Sequence, residues 1–397
     1  MTLNGVDGYK ARLWLASNVS DRLAPPSIRP TDASIKLTEN CQAKCVTCDY
    51  WKARTTDGIT TDEAIALIGR LGDLGVTTLR FTGGEPLLRR DFFAILDAID
   101  PSPFSTIGLQ TNGLLLKRLA GRVNDSPVTH VAVSLDAAGE RNDEIRGVRG
   151  YFDRAIEGLD LLEGKTRIIA MTLNQLGAGD LDVLIDLVER LGGYLACNLP
   201  DNRLYFLQGA DLDGLWPDES ATAAMVDTLA ARLGAQFAGY ELDYIRRYLR
   251  PAAPGLEVGN PPCVLGYTTV YIGSEGDVRS GCYVLPPLGN MLERDIGEIL
   301  ADPAYRARAR SMLRLECPGC ACNVFKSLRT RNQVQDRFRR LCRGAVGSGS
   351  LPQDAKREVV IVVARQLAEL GTGLQRRVHV MPVIAVAAVP GAMVHRD

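Results

Sequence analysis

The chain has 397 residues, of which 46% are apolar and 23% charged, and its formal net charge is −1. This composition is ordinary for a globular protein, and the balanced charge gives no basic field for nucleic acid. No stretch has the build of a signal peptide or a membrane span. We therefore expect a cytoplasmic protein that binds neither nucleic acid nor membrane. Its length suits one large domain of about 250 residues and a smaller one.

Residues 33–200 alternate between strand-like and helix-like stretches. The predicted strands are Ser34–Leu37, Thr77–Phe81, Thr106–Leu109, His130–Ser134, Arg167–Leu173 and Tyr194–Cys197. The amphipathic stretches between them are Thr61–Leu74, Phe92–Ile99, Leu114–Gly121, Tyr151–Leu162 and Leu181–Leu191. Six βα units predict a parallel sheet with right-handed crossovers. We interpret this α/β pattern as a partial (β/α)6 TIM-like barrel, with its working residues at the C-terminal ends of the strands.

The rest of the chain is predicted to form smaller parts around this barrel. Residues 1–32 are an N-terminal extension, 33–210 the barrel, and 211–262 a connector with helices, one of them placed at Asp218–Phe237. Residues 263–345 are predicted to form a small C-terminal α+β domain, a β-hairpin plus helices, and 346–397 a tail of undefined structure. The hairpin prediction depends on the alternating run "TTVYIGSEGDVRSGC", which has a Gly-rich turn at its centre.

The ten cysteines are clustered, which favours metal or cluster ligation over disulfides in a reducing compartment. Cys41, Cys45 and Cys48 follow the first predicted strand in the spacing C-x3-C-x2-C. Three thiolates on one loop suit a cubane iron–sulfur cluster whose fourth iron stays open. Zinc and unliganded thiols are the alternatives, although structural zinc needs a fourth ligand that no nearby histidine supplies.

A glycine-rich segment, "FTGGEPLL", follows the second predicted strand. Gly83 and Gly84 have no side chain, so the backbone there can approach a ligand closely. Glu85 adds a hydrogen-bond acceptor for an amine. A plain strand-to-helix turn is the alternative, because Pro86 begins a helix well.

Together these motifs resemble the radical S-adenosylmethionine (SAM) enzymes, through "CQAKCVTC" and "TGGEP" in that order and about 40 residues apart. Weaker similarities are "LQTNG" at the third strand and "VSLDAAGERNDEIRG" at the fourth, and the resemblance covers about residues 33–200. Thr47 departs from the family, in which an aromatic residue often precedes the third cysteine. This departure puts in doubt only the packing on the adenine side.

The resemblance implies a SAM-binding 4Fe–4S cluster and SAM itself as cofactors. The reduced cluster would split SAM, and the resulting 5′-deoxyadenosyl radical would abstract a substrate hydrogen. It also implies an electron donor such as flavodoxin or ferredoxin. The residues implied are Cys41, Cys45 and Cys48 for the cluster, Gly83, Gly84, Glu85 and Pro86 for the methionine amine side, and Asn112, Ser134 and Asp136 for the ribose or carboxylate.

The C-terminal cysteines resemble the twitch form of the SPASM domain, which binds a second, auxiliary 4Fe–4S cluster through four thiolates. The implied ligands are Cys263, Cys282, Cys317 and Cys320, and a zinc ribbon from the same four is the alternative. Cys322 could replace Cys320 or donate a hydrogen atom to a substrate radical, or it could be a small apolar residue, as could Cys342. Cys197 is interpreted as a core residue.

Such an auxiliary cluster predicts electron transfer from a substrate radical. We therefore expect an enzyme of the oxidoreductase type that dehydrogenates or epimerises a carbinol of a sugar-like or aminocyclitol-like small molecule in antibiotic biosynthesis. Cys322, Arg203 and Tyr205 are the candidate catalytic residues, although an arginine holds a substrate oxygen more readily than it takes a proton. The alternatives are a maturase that modifies a ribosomally made peptide and a non-catalytic cluster scaffold.

Overall fold

The computed structural model describes residues 27–52, 58–200, 213–249 and 262–317, together with Leu13, Lys326, Ser327 and Arg329. The chain divides into two compact units. One is Ser27–Leu328, and the other combines Met1–Pro26 with Arg329–Asp397. Nearly all of the described residues belong to the first unit.

One sheet of nine strands organises that unit, in the order β6-β5-β4-β3-β2-β1-β7-β8-β9. Strands β1 to β6 are parallel to their neighbours, as six consecutive βα units require. The strands are β1 Asp32–Lys36, β2 Thr78–Thr82, β3 Thr106–Thr111, β4 His130–Ser134, β5 Thr166–Thr172, β6 Tyr194–Asn198, β7 Thr269–Ile272, β8 Asp277–Arg279 and β9 Gly289–Asn290. The predicted partial barrel of mixed α/β class is thereby confirmed.

Helices follow the parallel strands. They are α1 Thr61–Asp73, α2 Phe92–Ala98, α3 Leu116–Asp125, α4 Gly139–Arg146, α5 Tyr151–Asp160, α6 Leu181–Leu191, α7 Glu219–Leu233, α8 Gly239–Tyr248, α9 Leu265–Thr268, α10 Ile296–Ala301 and α11 Pro303–Leu313. Helix α1 shows why they begin where they do. Thr60 and Glu63 form a reciprocal capping box that satisfies two backbone N–H groups at its N-terminus.

The C-terminal hairpin continues the barrel sheet. Strand β7 runs parallel to β1, with Asp32 opposite Thr269 and Ile35 opposite Ile272. Strand β8 then returns antiparallel to β7, as the alternating run predicts, and β9 pairs with β8. Because β1 lies between β2 and β7, the loop after β1 is next to both the barrel and the hairpin.

Two helices depart from the sequence expectations. Helix α4 was not predicted, because "GERNDEIR" is strongly polar and buries only Asn142 and Ile145. Helix α8 lies in the predicted connector after a helix that ends at Leu233, four residues earlier than predicted. Within the described ranges, no helix is both long and apolar enough to cross a lipid bilayer.

Candidate functional site

The three N-terminal cysteines lie on the loop after β1, and helix α4 holds that loop in place. The backbone N–H of Lys44 donates to the carbonyl of Arg146 (3.1 Å), and that of Val46 donates to the carbonyl of Ile145 (2.9 Å). Gly147 ends α4 with φ +64°, and a Cβ there would lie 2.4 Å from the carbonyl oxygen of Lys44. The turn therefore needs glycine both for its backbone angle and for this close contact.

A buried arginine ties together the two ends of the segment that carries the cysteines. Arg89 is 4% exposed, and its guanidinium donates to the carbonyl oxygens of Leu37 (3.0 Å) and Ile59 (2.9 Å). It also makes two hydrogen bonds of 2.8 Å to the carboxylate of Asp91. The Arg89 side-chain hydrogen bond is the largest influence on Asp91, whose pKa it helps to lower to about 2.

Two side-chain N–H groups point at cysteine sulfurs. Asn112 Nδ2 lies 3.7 Å from Cys41 Sγ, and Arg146 Nη1 lies 3.9 Å from Cys45 Sγ. Arg146 also forms an ion pair of 2.8 Å with Asp136. Burial lowers the pKa of Arg146, but the negative charge of Asp136 acts against it and the net pKa is raised. Arg146 is therefore a fixed positive charge beside the cysteine loop.

The cysteines of this loop are shielded thiols. Burial raises the pKa of Cys41 to about 11 and that of Cys48 to about 12, and in each case the charge of Cys45 raises it further. Mutual effects of this kind show that the three thiols share one small region. Because iron binds thiolates, loading the site with a cluster releases protons.

The two glycines of "TGGEP" give room to the chain's own backbone. A Cβ on Gly83 would lie 2.4 Å from the carbonyl oxygen of Thr38, and one on Gly84 would lie 2.3 Å from that of Asn40. The N–H groups of Gly84 and Glu85 donate to the same two carbonyls, at 2.7 and 2.8 Å. The segment after β2 is thus fastened to the residues that lead into the cysteine loop.

Glu85 is fully buried and links that segment to the end of β3. Its carboxylate accepts hydrogen bonds from Thr111 Oγ1 (2.7 Å), the N–H of Asn112 (2.6 Å) and the N–H of Leu87 (3.1 Å). Burial raises its pKa to about 7, and the hydrogen bonds limit the rise. Three of the four acceptor positions of the carboxylate are therefore used within the protein. Pro86 begins the short 3₁₀ turn Pro86–Leu88 directly after it.

The end of β4 contributes the remaining predicted cofactor residues. The carbonyl of Ser134 accepts a hydrogen bond from the hydroxyl of Tyr151 (2.9 Å), which leaves the half-buried Ser134 side chain at the strand end. Asp136 is 1% exposed and also accepts a hydrogen bond from the N–H of Thr172 (2.8 Å). The structure thus brings Gly83, Gly84, Glu85, Pro86, Asn112, Ser134 and Asp136 to one end of the three adjacent strands β2, β3 and β4. Their contacts with SAM remain a prediction.

The three thiols and the nearby polar groups of this site fit an iron–sulfur cluster with a polar ligand beside it. Across the described ranges, no three His, Cys, Asp or Glu side chains converge on one ion. A cluster binds each thiolate to a different iron. Two buried polar atoms, Gln42 Oε1 and Arg146 Nε, make no hydrogen bond within the described part and could bind a polar ligand.

Among the described C-terminal cysteines, Cys263 and Cys282 lie at the entrance and exit of the hairpin, and Cys317 follows helix α11. Burial raises the pKa of Cys263 to about 12, and the charges of Cys282 and Cys317 add to the rise. The N–H of Cys263 donates to the carbonyl of Met312 in α11 (3.4 Å). Gly281, at φ +68°, turns the chain after β8 and so positions Cys282. All three are free cysteines.

Several predicted residues lie outside the described ranges: Cys320, Cys322, Cys342, Arg203 and Tyr205. Cys197 lies on β6, 7% exposed and packed in the core. The sequence analysis missed Arg89. Its signal was the "RRD" that follows "GGEPLL", because an arginine so close to a buried turn can reach several carbonyls.

Comparison with known proteins assigns a family model to each of the two segments that contain these cysteines. The family model of the Radical SAM superfamily matches residues 35–183, and that of the SPASM iron–sulfur cluster-binding domain matches residues 263–323. A segment of 159 residues is 33% identical to Fe-coproporphyrin III synthase of Methanosarcina barkeri, covering 38% of this chain and 39% of that protein. A segment of 167 residues is 35% identical to a probable GTP 3′,8-cyclase of Methanocella arvoryzae, covering 41% and 54%. The chain thus spans about half or less of these relatives.

Solved structures share the fold. SuiB of Streptococcus suis bound to S-adenosylmethionine is 19% identical, with a TM-score of 0.55 over 71% of this chain and 68% of that one. Native anSMEcpe with bound AdoMet and the Cp18Cys peptide is 17% identical, with a TM-score of 0.52 over 77% and 99%. The chain is a radical SAM enzyme with a SPASM auxiliary domain. The predicted cofactors, SAM, a SAM-binding 4Fe–4S cluster and an auxiliary iron–sulfur cluster, are confirmed with it.

Proposed function

We propose that the enzyme is a cytoplasmic oxidoreductase that dehydrogenates or epimerises a carbinol of a sugar-like or aminocyclitol-like small molecule in antibiotic biosynthesis, with a twitch-type auxiliary centre as electron acceptor. The single observation that carries this proposal is a small cavity of about 10 Å³ where the first barrel strands meet the hairpin. It is lined by Ser34, Lys36 and Thr82 from the barrel and by Tyr271, Arg279 and Tyr283 from the hairpin.

The position of the cavity supports a substrate site. Lys36 ends β1, five residues before Cys41, and Thr82 ends β2 immediately before Gly83. On the opposite wall, Tyr283 directly follows Cys282. A molecule in this space therefore has the SAM site on one side and an auxiliary ligand on the other. At about 10 Å³ the cavity holds about one water molecule, so a substrate binds there only when the lining side chains move apart.

The lining has the chemistry of a polyol site. The rings of Tyr271 and Tyr283 lie 3.8 Å apart between centroids, and such an aromatic wall packs against the C–H face of a saturated ring. Lys36 Nζ forms an ion pair of 2.5 Å with Glu39, and Arg279 Nε forms one of 2.8 Å with Asp277. Paired charges of this kind offer fixed donors and acceptors to hydroxyl groups without attracting a strongly charged ligand.

Different residues of the chain have separate roles in the oxidation of a carbinol. When bound, SAM and the clusters supply the radical that removes a hydrogen atom and the acceptor for the second electron. The aromatic wall orients the ring and excludes water. Glu39, held beside the cavity by Lys36, is the carboxylate that accepts the hydroxyl proton. Cys322, Arg203 and Tyr205 remain proposed catalytic residues in addition to it.

Modification of a ribosomally made peptide is the second candidate. SuiB, which shares the fold at a TM-score of 0.55, has also been solved bound to its precursor peptide SuiA. At 18% identity this likeness concerns the fold alone. A peptide substrate would have to reach the same cavity with one side chain.

The test is turnover by the anaerobically reconstituted enzyme with SAM and a reductant, supplied with aminocyclitols, sugars or short peptides. We expect one 5′-deoxyadenosine per ketone formed from a polyol, or hydrogen incorporation at an inverted carbon. Tyr283→Ala should lower turnover about 10-fold or more, since it removes the aromatic wall, while Tyr194→Ala, on the exposed edge strand β6, should not. Turnover with peptides alone would reject the proposal in favour of the second candidate.

A further inference from the structure

The amide of Asn112 is oriented so that its N–H group faces a cysteine sulfur. Its Nδ2 atom lies 3.7 Å from Cys41 Sγ. At the other end, Oδ1 accepts hydrogen bonds from the backbone N–H of Leu114 (3.0 Å) and from Gln42 Nε2 (3.3 Å). Because a backbone N–H can only donate, the amide oxygen must lie at this end and the nitrogen at the sulfur end. Asn112 is 7% exposed, so water competes little for the contact with the sulfur.

The two terminal nitrogens of the Arg146 guanidinium have different partners. Nη2 forms the ion pair of 2.8 Å with Asp136, whereas Nη1 lies 3.9 Å from Cys45 Sγ. The side chain of Arg146 is 12% exposed and that of Asp136 is 1% exposed, so little water screens either charge. The ion pair therefore acts as a dipole whose positive end faces Cys45.

The remaining sulfur of the loop, and one of these two, have backbone donors. The N–H groups of Ala43 and Tyr50 hydrogen-bond the thiols of Cys41 and Cys48. Each of the three sulfurs thus has at least one N–H donor, and two of the donors are side chains that a substitution can remove. N–H donors and positive charge stabilise a thiolate, and hydrogen bonds to the sulfurs help to set the reduction potential of an iron–sulfur cluster.

We propose that Arg146 and Asn112 are positioning residues that raise the reduction potential of the SAM-binding cluster by donating to two of its thiolates. One electron passes from a one-electron reductant, which is oxidised, to the cluster, and the donors stabilise the added negative charge. The nearby carboxylates oppose this effect only in part, because Glu85 accepts three hydrogen bonds within the protein and Asp136 is paired with Arg146. The inference concerns the reduction that precedes SAM cleavage and holds whichever substrate follows.

The test is a redox titration of the reconstituted full-length enzyme with dithionite, without SAM or substrate, followed by electron paramagnetic resonance. Adding SAM to a parallel sample identifies the signal of the SAM-binding cluster, because only that signal changes. The signal of the auxiliary cluster is then an internal reference. The variants are Arg146→Gln, Arg146→Lys and Asn112→Ala, and Arg141→Gln, at an exposed position of the same helix α4, is the matched control. Equilibrium dialysis measures SAM binding by each variant.

We expect Arg146→Gln to shift the midpoint potential of the SAM-binding cluster to more negative values by about 59 mV or more, which is a tenfold change in the equilibrium of a one-electron reduction. Asn112→Ala should give about half of this shift, because its donor is neutral. Arg146→Lys keeps the charge and should lie between the wild type and Arg146→Gln. The auxiliary signal, and both signals of Arg141→Gln, should keep their wild-type potentials.

A wild-type potential in either Arg146→Gln or Asn112→Ala would overturn the role of that residue. Weaker SAM binding by Arg146→Gln at an unchanged potential would also overturn it, because the guanidinium would then act on SAM and not on the sulfur. An equal shift of the auxiliary signal would indicate a general structural change and reject the proposal. If Arg146→Gln does not retain iron, Arg146→Lys and Asn112→Ala decide by the same criterion.

Discussion

Replacement of Arg89 by methionine tests whether the cysteine segment is held at both ends by one side chain. Arg89→Met removes two hydrogen bonds from a charged donor to the carbonyls of Leu37 and Ile59, leaving both acceptors buried. Bonds of this type contribute about 1.5–3 kcal/mol each. The ion pair with Asp91 adds little, because the Asp91 side chain is 29% exposed and water can replace its partner.

The expected loss is therefore about 3–5 kcal/mol once the apolar methionine side chain offsets part of it. For a unit of this size, that lowers the melting temperature of the cluster-free protein by on the order of 10 °C. Circular dichroism gives the melting temperature, and iron analysis after reconstitution reports whether the cysteine loop still assembles its cluster. Arg89→Lys should be intermediate, since lysine keeps the charge but loses the forked geometry.

Arg90→Met is the matched control, because Arg90 is the next residue and is exposed. If Arg89→Met melts within about 2 °C of Arg90→Met and loads the same amount of iron, the proposed role of Arg89 is wrong, since a surface substitution changes stability by about 0.5 kcal/mol at most.

Three further predictions concern the two sites. Cys263→Ser should reduce the iron content, measured by elemental analysis, from about eight to about four atoms per chain. The control Cys197→Ala should leave the iron content unchanged. If both variants contain about eight iron atoms per chain, Cys263 is not a cluster ligand. Because burial raises the pKa of Glu85 to about 7 from 4.5, the folded cluster-free protein keeps a proton that the unfolded chain loses, so its stability in urea should fall from pH 4.5 to 7. Glu85→Gln should remove that part of the slope, and an unchanged slope would argue that the carboxyl is ionised when folded. Gly84→Ala should impair cluster loading and SAM cleavage, because its methyl group would lie 2.3 Å from a backbone carbonyl oxygen. Gly121→Ala, with open space around it, should instead stabilise α3 by up to about 1 kcal/mol.

The parallel sheet was predictable because its signals are local. Each of the six strands is an apolar run bounded by turn residues, and the observed strands differ from the predicted ones by at most two residues at either end. Strand β4 was predicted at His130–Ser134 without error. The cysteine and glycine motifs were predictable for the same reason, since each lies within eight consecutive residues.

Contacts between distant residues were not predictable. Nothing in the sequence near Arg89 identifies the carbonyls of residues 37 and 59 as its partners. Helix α4 was missed because it is held by hydrogen bonds to the cysteine loop and buries polar groups such as Asn142. A prediction from hydrophobic periodicity treats such polar residues as exposed. The pairing of β7 with β1 joins residues more than 230 positions apart and has no local signature.

That pairing limits how this enzyme can be taken apart. In β1, Ala33, Ser34, Ile35 and Lys36 are all buried, so deleting the hairpin would remove one row of hydrogen bonds from a largely buried strand. A bare edge of this kind is a template for aggregation. Neither the barrel nor the hairpin can therefore be moved alone into another protein. A hairpin fused to another barrel also needs a first strand that pairs with β7 in the same register.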